Sequence, residues 1–202
     1  MGIDVSHHQG EIDWKEVARQ GVRFAFVKAT EGGDFKDPRF DENIQGAQKV
    51  NIPVGAYHFF TFCRSGFEQA KNFIETVPKE GLSMPPVVDL EFGGNCSVVP
   101  THDELVDELS KFVELLTGFY YVAPVFYVTT EFLEAYPIDK FQNIQLWIRN
   151  IYRQPEPYNK RNCTFWQYHS RGRLKGISGF VDLNVYCSDE ESFQQYLGNA
   201  EL

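Results

Sequence analysis

The sequence predicts an α/β fold, an irregular (β/α) barrel of eight strands and about five helices in one domain spanning residues 1–202. Strand and helix patterns alternate along most of the chain, which is typical of parallel strands with crossover helices. A chain of 202 residues that is 43% hydrophobic has enough apolar material for one sizeable core. No Gly/Ser tract, charge block or short repeat indicates a second module.

Five strands and five helices are predicted in the first two thirds of the chain. The strand patterns are "IDVS", "FAFVKA", "PVGAYHFF", "PPVVDLE" and "PVFYVT". The helical patterns are "DWKEVARQ", "FDENIQGAQKV", "FEQAKNFIETV", "THDELVDELSKFVELLT" and the shorter "EFLEAY". Gly21 is a stop signal for the first helix, and Thr101 with Glu104 forms a capping box that begins the fourth.

The last three strands lack predicted crossover helices. They are "QLWIRN", "TFWQYH" and "VDLNVYC", joined by "IYRQPEPYNKRNC" and "SRGRLKGISGF". Proline, glycine and charged residues make both connections poor helices. Because a parallel return needs a dozen or more residues, the second connection suits a hairpin, and the final strand is expected to be antiparallel.

Charge and hydropathy argue against two classes of binding partner, nucleic acids and membranes. The formal net charge of −9, without a basic cluster, argues against nucleic acid, and no apolar run predicts membrane insertion. Since Met1-Gly2 leads straight into "IDVSHH", we expect either that the protein starts in the cytoplasm, as a lysis enzyme can, or that a leader has been removed.

The sequence is compatible with two redox states of the four cysteines. Cys63, Cys96, Cys163 and Cys187 have no CxxC spacing, so a zinc site is not expected. They are either buried thiols or, in an exported protein, two disulfides in one of three connectivities.

The stretch "PPVVDLEF", residues 85–92, carries the strongest functional signal. Asp89 and Glu91 lie on one face of a strand, with Cα atoms about 6.5 Å apart, and like charges at that range raise the pKa of one carboxyl. We expect removal of the Asp89 charge to lower the pKa of Glu91. A strand that runs into solvent, with both acids hydrated, is the alternative for this stretch taken alone.

Barrel geometry adds two more acids to this pair. Parallel strands present their carboxyl ends at one mouth, and an antiparallel last strand begins there, which places Asp182 at the mouth. Closure of the barrel sets the first strand beside the last, so Asp4 is expected near Asp182. Four converging acids predict a catalytic pocket.

The chain resembles the glycoside hydrolase family 25 lysozymes. The matching segments are "GIDVSHHQGEIDW", "FAFVKATEGGDFKDPRF", "IPVGAYHFF", "PPVVDLE", "FWQYH" and "VDLNVY", which occur in the family's order over residues 2–186. The resemblance implies a muramidase that cuts the β-1,4 bond between N-acetylmuramic acid and N-acetylglucosamine, with retention of configuration. Its partner would be the peptidoglycan glycan strand, with no cofactor or metal, and the protein would be a secreted or cell-envelope monomer.

The resemblance also assigns roles at the mouth. Glu91 would be the general acid, Asp89 its partner, and Asp4 and Asp182 supporting acids. This fits glycoside cleavage, which needs a proton donor and a second negative group near the oxocarbenium ion. Whether Asp89 forms a covalent intermediate or steers the substrate's N-acetyl oxygen stays open.

Further residues are expected to line the groove. Tyr57, Tyr127 and Trp147 are candidate sugar platforms and Gln167 a hydrogen-bonding group, although barrel aromatics also serve as packing. Arg149 stands where many relatives have a small residue, and it is expected either to bind a substrate carboxylate or to form an inter-strand ion pair.

Two other function classes remain open. A barrel of this kind could bind glycan without cleaving it, or it could be a metal-dependent polysaccharide deacetylase that uses Asp4 and the neighbouring His7 and His8. Adjacent strand residues face opposite sides, which disfavours a metal site built from both histidines.

Overall fold

A computed structural model describes residues 1–158 and 162–200, without the side chains of residues 199 and 200. The strands are β1 Gly2–Val5, β2 Phe24–Glu31, β3 Phe35–Lys36, β4 Val54–Phe59, β5 Val87–Leu90, β6 Val125–Thr129, β7 Leu146–Arg149, β8 Phe165–Gly172 and β9 Val181–Tyr186. The α-helices are α1 Trp14–Arg19, α2 Phe40–Gln48, α3 Gly66–Thr76, α4 His102–Tyr120, α5 Thr130–Ala135 and α6 Glu190–Ala200. No described helix is long and apolar enough to cross a bilayer.

The strands form one closed barrel. Their order is β1-β9-β8-β7-β6-β5-β4-β2, and a parallel pairing of β1 with β2 completes the ring. The two-residue β3 pairs with β2 outside the ring, so the predicted eight-stranded irregular barrel is confirmed. β9 runs antiparallel to both β1 and β8, as the short last connection predicts.

The first half follows the predicted elements closely. Thr101 caps α4 through the capping box with Glu104, and Ser65 with Glu68 begins α3 in the same way. Gly21 follows α1 with φ +84°, a left-handed conformation that glycine adopts without strain. Residues 173–180, between β8 and β9, contain no helix. The preceding predicted loop includes residues 159–161, which lie outside the described residues.

Two apolar clusters hold the barrel. The larger lies between the outward faces of the strands and the helices, with Phe73, Phe112 and Phe132 fully buried. The smaller fills the barrel interior and includes Phe26 and Trp147, whose rings stack with centroids 4.4 Å apart. Among the described residues, the barrel strands also bury the polar side chains of Asp4, Asp89, Gln167 and Asn184.

Helix α6 was not expected from the sequence and raises the helix count above the predicted five. Phe193 of α6 is 3% exposed and contacts Phe24 and Tyr186, with ring centroids 5.4 and 5.2 Å away. Phe24 begins β2 and Tyr186 ends the antiparallel β9, so α6 covers the barrel end opposite the carboxyl ends of the parallel strands. The sequence signal is weak because few residues of α6 are apolar.

We expect Phe193→Ala to lower the melting temperature by about 10 °C, because a buried phenylalanine replaced by alanine costs about 3–5 kcal/mol in a chain of this size. Gln195→Ala, on the exposed face of the same helix, is the matched control and should change the melting temperature little. Thermal denaturation followed by circular dichroism measures both. Equal melting temperatures for the two variants would contradict the packing role of α6.

Candidate active site

A polar cleft of about 580 Å³ opens at the carboxyl ends of the parallel strands. Its lining residues are Glu91, Phe92, Gly93, Tyr127, Thr129, Glu131, Arg149, Gln167, Ser170 and Asp182. They come from the ends of β5 to β8, the first turn of α5 and the start of β9. The cleft therefore lies where a β/α barrel presents its chemistry.

Asp4 and Asp182 are direct neighbours across the β1–β9 pairing. Burial raises the pKa of Asp4 to about 6, while hydrogen bonds from Asn184 and Gln167 act in the opposite direction. Burial, followed by the charge of Asp4, raises the pKa of Asp182 to about 8. Near neutral pH the coupled pair therefore shares one proton, for which Asp182, with the higher pKa, is the favoured site.

Two amides fix Asp4 in place. Its Oδ2 accepts hydrogen bonds from Gln167 Nε2 at 2.9 Å and from Asn184 Nδ2 at 2.8 Å. Trp147 Nε1 donates to Asn184 Oδ1 at 2.9 Å, and the Tyr127 hydroxyl donates to Gln167 Oε1 at 3.0 Å. Because an indole N–H only donates, Asn184 must turn its own NH₂ toward Asp4.

Asp89 and Glu91 lie on the same side of β5 and its continuation, as predicted. Asp89 is 8% exposed, and its Oδ1 has no hydrogen-bond partner among the described residues. Burial, followed by the charge of Glu91, raises the pKa of Asp89 well above its usual range. The expected effect of like charges is therefore found on Asp89.

The pKa of Glu91 is raised by burial and, among neighbouring acids, by Asp4 and Glu131. Asp89 is not among the leading causes of this rise. The two carboxyls are coupled, and their mutual repulsion appears in the pKa of the more buried partner, Asp89. Deeper burial of Asp89 accounts for the difference.

Two cations moderate these acids. The charge of Arg149 opposes the rise in the pKa of Glu91, and that of Lys28 opposes the rise in the pKa of Asp89. Lys28 Nζ donates to Glu31 Oε2 at 2.7 Å and lies 5.0 Å from the centre of the Phe59 ring. Lys28 faces the interior by the same alternation as Phe24 and Phe26, and this could have been read from the sequence.

The predicted groove residues lie at different depths. Tyr57 is half-buried on β4, and burial together with nearby carboxylates raises its pKa well above the usual range. Tyr127 is 6% exposed and meets the Trp147 ring edge-to-face at 4.7 Å. Trp147 is 2% exposed, one inward position deeper than Arg149, and is covered by Phe26. Trp147 thus lies beneath the cleft, where it orients Asn184.

His7 and Asp37 form a separate contact beside β1. Asp37, which the sequence analysis missed, accepts hydrogen bonds from the backbone N–H of His7 at 3.0 Å and that of Arg39 at 2.9 Å. His7 Nδ1 lies 2.7 Å from Asp37 Oδ2, while His8 is exposed. Asn184 was also missed, although its alternation with Asp182 on the last strand signals the same face.

The segment after Glu91 is tied to the exit of β4. Asn95 Nδ2 donates to the carbonyls of Glu91 and Phe60, and Asn95 Oδ1 accepts from the backbone N–H of Phe62. A disulfide joins Cys63 to Cys96 in the same two segments. The second disulfide, Cys163–Cys187, joins the residues flanking β8 and β9. The structure thus selects one of the three connectivities.

Comparisons with known proteins agree on one family. The model of glycosyl hydrolases family 25 matches residues 3–177. A family 25 glycosyl hydrolase from Bacillus anthracis is 41% identical, with a TM-score of 0.90 over 96% of this chain and 92% of that one. The lysozyme of Streptomyces coelicolor is 28% identical, with a TM-score of 0.88 over 98% and 97% of the two chains. Lysozyme M1 of Streptomyces globisporus is 30% identical over 92% of this chain and 67% of its own length.

We expect Asp182→Asn to stabilise the protein increasingly as the pH rises. Above about pH 4 an unfolded aspartate releases its proton, whereas folded Asp182, with a pKa of about 8, keeps it. The native state then binds more protons than the unfolded state, so the wild type loses stability between these two values. Melting temperatures of variant and wild type should diverge from about pH 4 to about pH 8, while Asp41→Asn, on an exposed helix face, should track the wild type. A pH-independent difference would contradict the raised pKa.

Proposed function

The chain belongs to glycosyl hydrolases family 25, and we propose that it is a lysozyme that cleaves the β-1,4 bond between N-acetylmuramic acid and N-acetylglucosamine in peptidoglycan. The observation that carries the proposal is the convergence of Asp4, Asp89, Glu91 and Asp182, each with a raised pKa, at one end of the barrel. Glycoside hydrolysis needs a carboxyl that stays protonated near neutral pH beside a second carboxylate.

Glu91 acts as the general acid in this proposal. It lines the open cleft, so a glycosidic oxygen can reach it, and burial favours its protonated form. Asp4 supplies a fixed negative charge behind it, held by the amides of Gln167 and Asn184. Asp182 holds the proton that it shares with Asp4, and its carboxyl O–H can donate a hydrogen bond to a substrate in the cleft.

Asp89 serves as the second carboxylate once substrate is bound. In the free protein its Oδ1 lacks a partner, which favours the neutral form. An N–H from the substrate's acetamido group would provide the missing hydrogen bond, lower the pKa of Asp89 and leave the shared proton on Glu91. The acetamido oxygen, or a carboxylate oxygen of Asp89, then attacks the anomeric carbon from the face opposite Glu91 while Glu91 protonates the departing glycosidic oxygen. Water that gives its proton to Glu91 then displaces the acetamido oxygen or Asp89 from the anomeric carbon, so both routes retain configuration.

The site of action follows from the substrate. Peptidoglycan lies outside the cytoplasmic membrane, so we propose that the protein acts in the cell envelope or after secretion, as a monomer. The two disulfides support an oxidising compartment.

Glu91→Gln should reduce hydrolysis about 10²–10⁴-fold, because the amide keeps the shape of the side chain but cannot donate the proton. Release of reducing ends from purified peptidoglycan, with mass spectrometry of the new ends, measures rate and bond together. Glu114→Gln, on the exposed face of α4, is the control and should cleave at the wild-type rate. Glycan binding by the wild type without new reducing ends would favour a glycan-binding barrel, and chelator-sensitive acetate release would favour a deacetylase.

Asp4→Asn should move the basic limb of the pH profile of kcat/KM to lower pH. Asp4 is ionised above a pKa of about 6, and its charge raises the pKa of Glu91 in the free enzyme. Asp89→Asn should lower kcat strongly and also move that limb to lower pH, because Asp89 and Glu91 share a proton and the variant removes the more buried of the two carboxyls. Rates on soluble glycan strands from acid to alkaline pH measure both. A limb that Asp4→Asn displaces and Asp89→Asn leaves in place would contradict the coupling between Asp89 and Glu91.

A further inference from the structure

The arginines of the described residues fall into two groups. Those away from the cleft each lie within 4.0 Å of a carboxylate: Arg19, Arg23, Arg39, Arg64 and Arg153. Arg149, Arg171 and Arg173 have no such carboxylate in residues 1–158 and 162–200. Arg149 ends β7, Arg171 lies near the end of the neighbouring strand β8, and Arg173 directly follows β8.

Arg171 and Arg173 are organised around Phe180. Their guanidinium carbons lie 5.6 and 4.5 Å from the centre of its ring. Phe180 is 46% exposed, and its carbonyl accepts a hydrogen bond from Gln9 Nε2 at 3.1 Å. Two exposed guanidinium groups therefore lie within cation–π distance of an exposed aromatic ring. We call Arg171, Arg173 and Phe180 the arginine rim.

The arginine rim borders the cleft. Arg171 follows Ser170, which lines the cleft, and Phe180 precedes Asp182 by two residues. Arg149 lines the cleft itself, on the neighbouring strand β7. Arg149 therefore lies in the cleft, and the arginine rim directly follows or precedes residues that line it.

Unpaired arginines are notable in a protein with a net charge of −9, in which carboxylates are plentiful. A guanidinium group binds a carboxylate through two parallel hydrogen bonds, and stacking on an aromatic ring restricts its side chain beforehand. Such a group loses less entropy on binding than a free arginine. The arginine rim has the chemistry of a carboxylate site beside a cleft whose own acids would repel an anionic substrate.

We propose that the arginine rim binds carboxylates of the peptidoglycan substrate next to the cleaved bond. The inference rests on the proposed function, because the carboxylates are those that peptidoglycan carries. They have two sources, the stem peptides and the lactyl group of an N-acetylmuramic acid residue without a peptide. Contacts to this rim would favour strands that carry these groups over neutral glycans of the same length.

The test compares Arg171→Gln/Arg173→Gln with the wild type on three sets of soluble glycan strands. The first carries intact stem peptides, the second has been stripped by an amidase and keeps the lactyl carboxylate, and the third has every carboxylate converted to a methylamide. We expect kcat/KM on intact strands to fall about three- to tenfold at low ionic strength, mainly through KM, since an exposed ion pair is weak. On methylamide strands the variant and wild type should agree within about twofold, and salt should reduce the difference on intact strands.

Arg19→Gln/Arg23→Gln is the matched control. It makes the same change in net charge near the start of β2, at the barrel end opposite the cleft, and should show no preference among the three substrates. A loss confined to intact strands assigns the site to stem-peptide carboxylates, a loss confined to stripped strands assigns it to the lactyl carboxylate, and an equal loss on both shows that the rim binds either group. A loss of equal size on methylamide strands, or no loss on any strand, overturns the proposal.

Binding separates this proposal from the proposed function. Fluorescence anisotropy with labelled strands, in the Glu91→Gln background, needs no hydrolysis. Weaker binding of intact strands by Glu91→Gln/Arg171→Gln/Arg173→Gln, with unchanged binding of methylamide strands, supports the carboxylate site even if the wild type does not cleave peptidoglycan. Equal binding by both proteins overturns it even if the wild type is an active lysozyme.

Discussion

The antiparallel pairing of β9 between β1 and β8 is the constraint on which the rest of the site depends. It closes the ring and sets Asp182 directly opposite Asp4 at the open end. A parallel strand would have begun at the other end, and Asp182 would have met the aromatic interior. The same register turns Asn184 inward one step deeper, where it links Asp4 to Trp147. The direction of β9 therefore determines both the Asp4–Asp182 pair and the hydrogen bond from Asn184 that holds Asp4.

Burial of several carboxyls in one place is unfavourable, and the fold offsets this in different ways at each acid. Asp4 receives two amide hydrogen bonds, and it can stay ionised because its neighbour Asp182 keeps a proton. Asp89 has an unpartnered oxygen, which costs about 1–3 kcal/mol in a typical protein interior. In our proposal a substrate N–H supplies the missing donor, so that Asp89 is the acid whose hydrogen bonding would change on binding.

The cations near the barrel mouth differ in their surroundings from the charges on the rest of the surface. The surface is acidic overall, whereas the few cations near the mouth oppose the rise in carboxyl pKa inside the cleft or stand unpaired at its edge. Arg149 belongs to the first set, since it lines the cleft with Glu91 and Asp182. In our proposal, a glycan that carries carboxylates would contact the arginine rim as well as the cleft. Substrates would then be selected by charge without a change in the chemistry of the acids.

The amino-acid sequence alone determined the strand and helix order of the first half, the closed barrel, the direction of the last strand and the four acids at its mouth. These follow from patterns that act over a few residues: alternation in strands, capping boxes, glycine stops and a connection too short for a crossover. It also implied the family, through segments that agree in order. Helix α6 was not predicted, because its few apolar residues stabilise it only through packing against the barrel end, which no local pattern describes.

Only the tertiary structure determines which side chains reach the cleft and which carboxyls keep a proton. From its position in the strand, Trp147 was predicted to stack on a sugar ring. In the structure it packs against Phe26 and lies beneath the cleft. The greater burial of Asp89, which spacing along β5 could not reveal, makes it rather than Glu91 the acid most affected by its neighbour. Desolvation and ion pairing depend on every element that surrounds a side chain, and those elements come from distant parts of the chain.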